Sequence, residues 1–389
     1  MDTMKTAVVG CGMISSIYIK NFLHLFSVID LVGVCDTNEA NAREKSRFFG
    51  VPVLTMEQIK SDPEIRLVVN LTGPAAHASV IRELLEAGKH VFTEKMLCVD
   101  FETGKELTAL AKEKGLYLGV APDTFLGAGL QTARLLIDRG MIGRVTSARA
   151  AVNRSQALNS ELFRFIRNPG GGFAFDVGVY YVTALLSLLG PIRKVTGFVA
   201  ESQEHPARML RSGEFGTSWK TADNHLYAGS LLFENGAVAT LHLDGESINE
   251  EQSSLVIYGT EGILKLGDPN SFCGAVRLIR DNAPETVMPF THGFTGSPLY
   301  GPETPADYGQ HRGVGAAEMA WAILGCRPHR ASADMGLHTM EVLHGLELSS
   351  REEKVYRMTT TFRQPAPLPT GYTDQMLGGM RGDAEGSLV

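Results

Sequence analysis

What this chain has little of narrows its class first. No uninterrupted apolar run reaches the ~18 residues of a membrane span, and no run of Lys or Arg interleaved with aromatics occurs. The formal net charge is −7, so nucleic acid as the main partner is excluded. The five cysteines, Cys11, Cys35, Cys98, Cys273 and Cys326, show no Cys-x-x-Cys spacing. They read as small apolar residues of a reducing compartment, neither a disulfide framework nor a zinc site. The eleven histidines include no His-Glu-x-x-His pattern, so no metal is expected. Met1 to Lys5 lead straight into an apolar strand without the form of a signal peptide, and the expected location is cytoplasmic.

What is present is organised around Lys5-Thr6-Ala7-Val8-Val9-Gly10-Cys11-Gly12-Met13-Ile14-Ser15. An apolar run entering Gly-x-Gly-x-x-Ser reads as a buried strand turning sharply into a helix near Gly12. Gly10 permits the tight turn, and Gly12, without a Cβ, lets a pyrophosphate approach the free N–H groups of the helix N-terminus. The next strand, Asp30 to Cys35, ends at Asp36, about 20 residues beyond the turn, where a carboxylate meets the ribose 2′-hydroxyl of a dinucleotide. No Arg or Lys follows directly, so NAD(H) is favoured over NADP(H).

At 389 residues the chain exceeds the ~250–300 at which one core stops growing, so two domains are expected. Through about residue 121, short strands alternate with helices, including Arg43 to Phe49 and His77 to Ala87 as helices and Pro52-Val53-Leu54 as a short strand. This reads as an α/β, doubly wound parallel sheet. Ligands of such sheets lie at the strand carboxyl ends, which marks Gly10 to Met13, Asp36, Thr72-Gly73-Pro74, Glu94-Lys95 and Pro122-Asp123. Beyond residue 123, longer β segments joined by turns such as Glu234-Asn235-Gly236 predict an α+β domain with an open, mostly antiparallel sheet. The expected division is 1–122 (dinucleotide-binding), 123–364 (substrate and oligomerisation) and 365–389, a Pro- and Gly-rich tail.

Two further clusters carry chemistry. Lys95 ends a strand facing the nicotinamide side, where hydride transfer needs a group to take the hydroxyl proton or stabilise alkoxide character; burial would lower its pKa. A solvated lysine is the alternative. In Gly170-Gly171-Gly172-Phe173-Ala174-Phe175-Asp176-Val177-Gly178-Val179-Tyr180, Asp176 can cap the coming helix, and Asp176 and Tyr180, four apart, share one face. The alternative is a cap and a core tyrosine.

These motifs, with Asn70-Leu71-Thr72-Gly73-Pro74-Ala75-Ala76-His77 and Glu94-Lys95-Met96, make the chain similar to the glucose–fructose oxidoreductase / inositol dehydrogenase (Gfo/Idh/MocA) family over residues 4 to 365. The resemblance implies a Rossmann domain, an open-faced sheet domain and NAD(P)-dependent oxidation or reduction of a sugar, cyclitol or glycoside hydroxyl, with the C3 position among the options. It also implies dimers or tetramers assembled through the sheet face. By the same resemblance Lys95, Asp176 and Tyr180 are the catalytic set, Tyr180 exchanging the proton. The cofactor contacts expected are Gly10, Gly12, Met13, Ile14, Asp36, Thr72, Pro74, His77, Glu94, Lys95 and Pro122. Three departures stand out. Met96 replaces the usual proline, loosening the backbone after the lysine; Tyr180 replaces the histidine of inositol dehydrogenases; and Asp123-Thr124 replaces an Asn-Arg pair. Residues 153–168 and 203–224 match no pattern and are expected to shape substrate choice. Related readings are an NAD-dependent glycoside hydrolase and a dinucleotide-sensing regulator.

Overall fold

The computed structural model describes residues 3–208, 213–248, 254–295 and 311–370. Its first 120 residues follow the alternation: β1 (Met4–Val9), α1 (Ser15–His24), β2 (Ile29–Cys35), α2 (Glu39–Phe49), α3 (Met56–Ser61), β3 (Leu67–Asn70), α4 (Pro74–Glu86), β4 (His90–Thr93), α5 (Phe101–Glu113) and β5 (Leu118–Val120). The strands form one parallel sheet in the order β2-β1-β3-β4-β5. Local chemistry sets the helix starts. Asn38 and Asp100 cap α2 and α5, and Thr55 with Gln58 makes a capping box for α3.

That capping box also corrects the expected strand at Pro52–Leu54. Only one parallel bridge forms there, between Val34 and Val53, because the chain turns into α3 at Thr55. Helix α1 starts at Ser15 rather than near Gly12, leaving residues 12–14 as a turn.

The second half contains α6 (Ala128–Asp138), β6 (Val145–Asn153), α7 (Gln156–Leu162), α8 (Val179–Leu189), β7 (Ile192–Ala200), β8 (His205–Pro206), β9 (Ser218–Trp219), β10 (Leu226–Phe233) and β11 (Val238–Asp244). It continues with β12 (Ser254–Gly259), β13 (Gly262–Leu266), β14 (Val276–Arg280), β15 (Thr286–Val287), α9 (Val314–Leu324), α10 (Ala333–Glu352) and β16 (Tyr356–Arg357). Nine of these strands make one open sheet, β15-β14-β13-β12-β6-β11-β10-β7-β16. Only β6 and β11 pair in parallel within it, so the α+β expectation holds. The β10–β11 hairpin turns at Asn235-Gly236, with Gly236 at φ +90°.

Every residue of α8 is buried, and this helix packs against α6, α10 and β6. The other face of the large sheet is open: Phe198 and Val238 are 80% and 45% exposed. Among the described residues no helix is long and apolar enough to cross a membrane. All five cysteines are unpaired; Cys11, Cys35 and Cys98 are buried as small apolar residues, whereas Cys273 is half-buried and Cys326, at φ +51° just after α9, is exposed, contrary to the expected burial.

The first residues of the expected tail are held against the second half of the chain. Arg330 donates to the carbonyls of Ala366 and Pro367, Arg134 to that of Pro365, and Leu368 N–H donates to Gln131 Oε1. Those partners satisfy the backbone and bury Leu368. Residues 371–389 lie outside the described residues.

Candidate active site

At the end of β1, Gly10 sits at φ +99°, and a Cβ there would stand 2.5 Å from the Leu71 carbonyl carbon. Only glycine lets the two strand ends approach this closely. A Cβ on Gly12 would meet nothing within 4 Å, so the turn has open space above it. The first turn of α1 has neither a side-chain cap nor an acidic residue, and Met13 is 72% exposed beside it. This is a cradle suited to an anionic group at a helix N-terminus. Asp36 stands against it: its Oδ2 accepts from Cys11 N–H (2.6 Å) and its Oδ1 from Asn38 N–H (2.7 Å).

The ends of β3 and β4 are tied together. Asn70 donates to Thr93 Oγ1, Thr72 Oγ1 donates to Asn70 Oδ1, and Glu94 N–H donates to the Asn70 carbonyl. Pro74 starts α4. His77 is fully buried, with Nδ1 2.6 Å from the Met96 carbonyl and Nε2 2.9 Å from that of Thr72. Both of its ring nitrogens thus lie against carbonyls of the two loops. The same contact corrects the expected loosening after Lys95, since Met96 is buried and His77 holds its carbonyl. Glu94 points inward too, accepting from the Tyr18 hydroxyl at 2.6 Å and from Lys95 N–H at 3.0 Å. Pro122 follows β5 through a cis peptide.

From the second half comes Asp176, within a π-helical turn, Ala174–Gly178, that leads into α8. The expectation that Asp176 caps this helix is overturned. No side chain caps this turn or α8; Gly172 N–H, ahead of the turn, donates to Asp223 Oδ2 (2.8 Å), and the Asp176 side chain faces Lys95 at the end of β4. Lys95 Nζ donates to Asp176 Oδ1 at 2.6 Å and to the Asp176 carbonyl at 3.0 Å. Gln156 Nε2 approaches the other carboxylate oxygen at 3.4 Å. The Tyr180 ring lies 5.5 Å from Lys95 Nζ, so the three residues named from the sequence converge.

The charge state of Lys95 differs from expectation. Burial does oppose its charge, but Asp176, Tyr180 and Glu94 outweigh burial and push the pKa above the ordinary lysine value. The side chain is an ammonium, not a poised base.

Arg312, missed in the sequence, completes the centre. Its guanidinium lies 5.5 Å from the Tyr180 ring on the way to Asn270 Oδ1 (2.8 Å). Burial opposes its charge, and Tyr180, Glu94, Tyr18 and Asp123 more than restore it. Asp123 is fully buried; its Oδ2 accepts from Gly313 and Gly315 N–H, and its Oδ1 has no partner. Desolvation pushes its carboxyl up to about 6. Arg312 offers no sequence signal, because no periodic element or motif leads up to it.

The architecture is that of a two-domain protein built on an NAD(P)-binding Rossmann fold. Residues 4–121 match the family model described as "Oxidoreductase family, NAD-binding Rossmann fold", and residues 130–265 match the GFO/IDH/MocA C-terminal domain. The chain belongs to the Gfo/Idh/MocA family. An uncharacterised oxidoreductase of Schizosaccharomyces pombe is 30% identical over 210 residues, 53% of this chain and 57% of that protein. This chain thus spans little more than half of that relative's length. The scyllo-inositol 2-dehydrogenase (NADP(+)) of Bacillus subtilis is 26% identical over 264 residues, 67% of this chain and 71% of the enzyme. Among solved structures, levoglucosan dehydrogenase with NADH and L-sorbose superimposes with a TM-score of 0.76 at 20% identity, covering 92% of this chain and 99% of that one.

Proposed function

We propose that this protein is an NAD-dependent oxidoreductase that transfers a hydride between a secondary hydroxyl of a carbohydrate and nicotinamide. The substrate is a sugar, a cyclitol or the sugar part of a glycoside, with C3 a candidate position. The observation that carries the reading is the convergence of Asp176 and Tyr180 on Lys95, at the carboxyl end of a sheet whose first turn is suited to an anion. The relative named as a scyllo-inositol 2-dehydrogenase supports the substrate class.

Bound nicotinamide would supply the hydride acceptor. The pyrophosphate is assigned to Gly10, Gly12, Met13 and Ile14, the ribose to Asp36, and the nicotinamide side to Thr72, Pro74, Glu94, Lys95 and Pro122. His77 acts there through the Thr72 and Met96 carbonyls. In the reaction Lys95, held as an ammonium, stabilises negative charge developing on the carbinol oxygen. Asp176 orients that ammonium and accepts from a neighbouring substrate hydroxyl. Tyr180 exchanges the carbinol proton, and the Arg312 cation adds to the positive field around it. A dinucleotide sensor has no use for this arrangement, which argues against the regulator reading.

The working division is a cofactor domain to residue 122 and a substrate domain after it. The exposed face of the large sheet, with Phe198 and Val238, is the proposed contact between copies of the chain. The unpaired cysteines fit a cytoplasmic location.

The test is to incubate the protein with NAD and a panel of sugars, cyclitols and plant glycosides while following NADH and products together. Stoichiometric NADH with an oxidised sugar supports the dehydrogenase. Glycoside cleavage without net NADH assigns the chain instead to hydrolysis through transient oxidation, and no turnover of any member refutes both.

A further inference from the structure

Away from the Lys95 centre, the described residues of the connection between β7 and β10 pack against the end of β11. This brings together His205 in β8, His225 just before β10 and Glu246 just after β11. Their ligand-type atoms all lie within 4.8 Å of one another, the one such His and carboxylate group among the described residues. Glu246 Oε2 stands 3.1 Å from His205 Nε2, and Oε1 stands 3.4 Å from His225 Nδ1.

These contacts do not satisfy the rings. The His225 side chain is fully buried, and neither of its nitrogens has a hydrogen-bond partner; His205 Nε2 has none either. Buried imidazole nitrogens without a partner are costly, and native structures rarely leave such groups without a water or an ion. Two imidazoles and a carboxylate form a donor set that zinc takes, at nitrogen and oxygen distances near 2.1 Å. Tetrahedral ligand atoms at that distance stand about 3.4 Å apart; here each Glu246 oxygen faces one ring at close to that separation, and one ligand atom from each of the three residues lies within 4.8 Å of the others. The surroundings hold the donors in place: the Trp219 ring packs on His205 at 5.0 Å, with the Arg167 guanidinium 4.5 Å above Trp219. Gln203 N–H donates to Glu246 Oε1, and Glu246 N–H to Asp244 Oδ1.

We propose that His205, His225 and Glu246 bind one zinc-class divalent cation, with water completing the sphere. The sequence reading expected no metal, because the three ligands are separated by whole strands and form no motif. The cation would clamp the segment that carries Asp223, and Asp223 in turn holds Gly172 at the start of the turn bearing Asp176. Its place is structural, behind the wall of the candidate active site, and the proposal does not depend on the dehydrogenase reading.

The full-length chain, treated with chelator and dialysed, is titrated with Co2+ while visible absorption is followed, then challenged with Zn2+. Expected are one Co2+ per chain with the intense ligand-field bands of tetrahedral cobalt, displacement by Zn2+ and a higher melting temperature with Zn2+. His225→Gln and Glu246→Gln each weaken uptake at least tenfold, whereas His24→Gln, on the surface of α1, leaves it unchanged. No saturable cobalt absorption in the parent chain overturns the site, whether or not the variants fold. Uptake at parental affinity in both His225→Gln and Glu246→Gln overturns it as well.

Discussion

Lys95 reaches from the end of β4 across to Asp176, donating to both its carboxylate (2.6 Å) and its backbone carbonyl (3.0 Å). One ammonium thereby fixes the position of the turn that precedes Tyr180 and remains charged while doing so.

Removing that charge costs transition-state stabilisation more than binding. Lys95→Met is expected to lower kcat by roughly 10²–10³-fold, the range for loss of one preorganised charge-stabilising donor, with a much smaller change in NAD affinity. Steady-state kinetics beside equilibrium NAD binding separate the two. Equal losses in both would make Lys95 a cofactor-holding residue only.

Asp36 has two duties that substitutions can separate. Asp36→Asn keeps an oxygen for Cys11 or Asn38 N–H but drops the charge that repels a 2′-phosphate. It should narrow the preference for NAD over NADP while the turn stays intact. Asp36→Ala loses the backbone contacts too, and should weaken both dinucleotides. Binding titrations with NAD and NADP check this, and a parent protein that binds both equally counts against the ribose role.

The two glycines of the turn predict opposite phenotypes. Gly10→Ala forces a Cβ against Leu71 at positive φ, so the melting temperature should fall sharply. Gly12→Ala meets nothing and should melt within a few degrees of the parent while losing dinucleotide affinity. Thermal melts with and without NAD distinguish them.

Asp123 gives the chain a pH signature. Desolvation raises its folded pKa from 3.8 to about 6, so the folded chain holds this proton more tightly than the unfolded one. Its contribution is favourable at low pH and is lost as pH rises from about 4 through 6. Two units correspond to about 3 kcal/mol. Asp123→Asn, which retains an oxygen for Gly313 and Gly315, should melt higher than the parent at pH 7, with the gap closing toward pH 4. Parallel melting curves across that range would refute the assignment.

The Rossmann half was legible where a local signal is strong, at the apolar run through Val8 and the glycine turn at Gly10; the caps at Asn38 and Thr55, which start α2 and α3, went unread. The chemistry of Lys95, Asp176 and Tyr180 was legible as residue types at fixed spacings. What could not be read locally was set by distant neighbours. Asp223 holds Gly172 N–H while no side chain caps α8, Asp176 keeps Lys95 charged against burial, and His77 turns toward Met96. Arg312 entered the centre from a stretch without pattern.

The most direct measurement of the central claim uses a carbohydrate that the parent protein turns over, deuterated at the reacting carbinol carbon. The account predicts deuterium on the nicotinamide of the product NADH. It also predicts near-complete loss of that transfer in Lys95→Met and Tyr180→Phe, both still binding NAD. Undiminished deuterium transfer in both variants would contradict it.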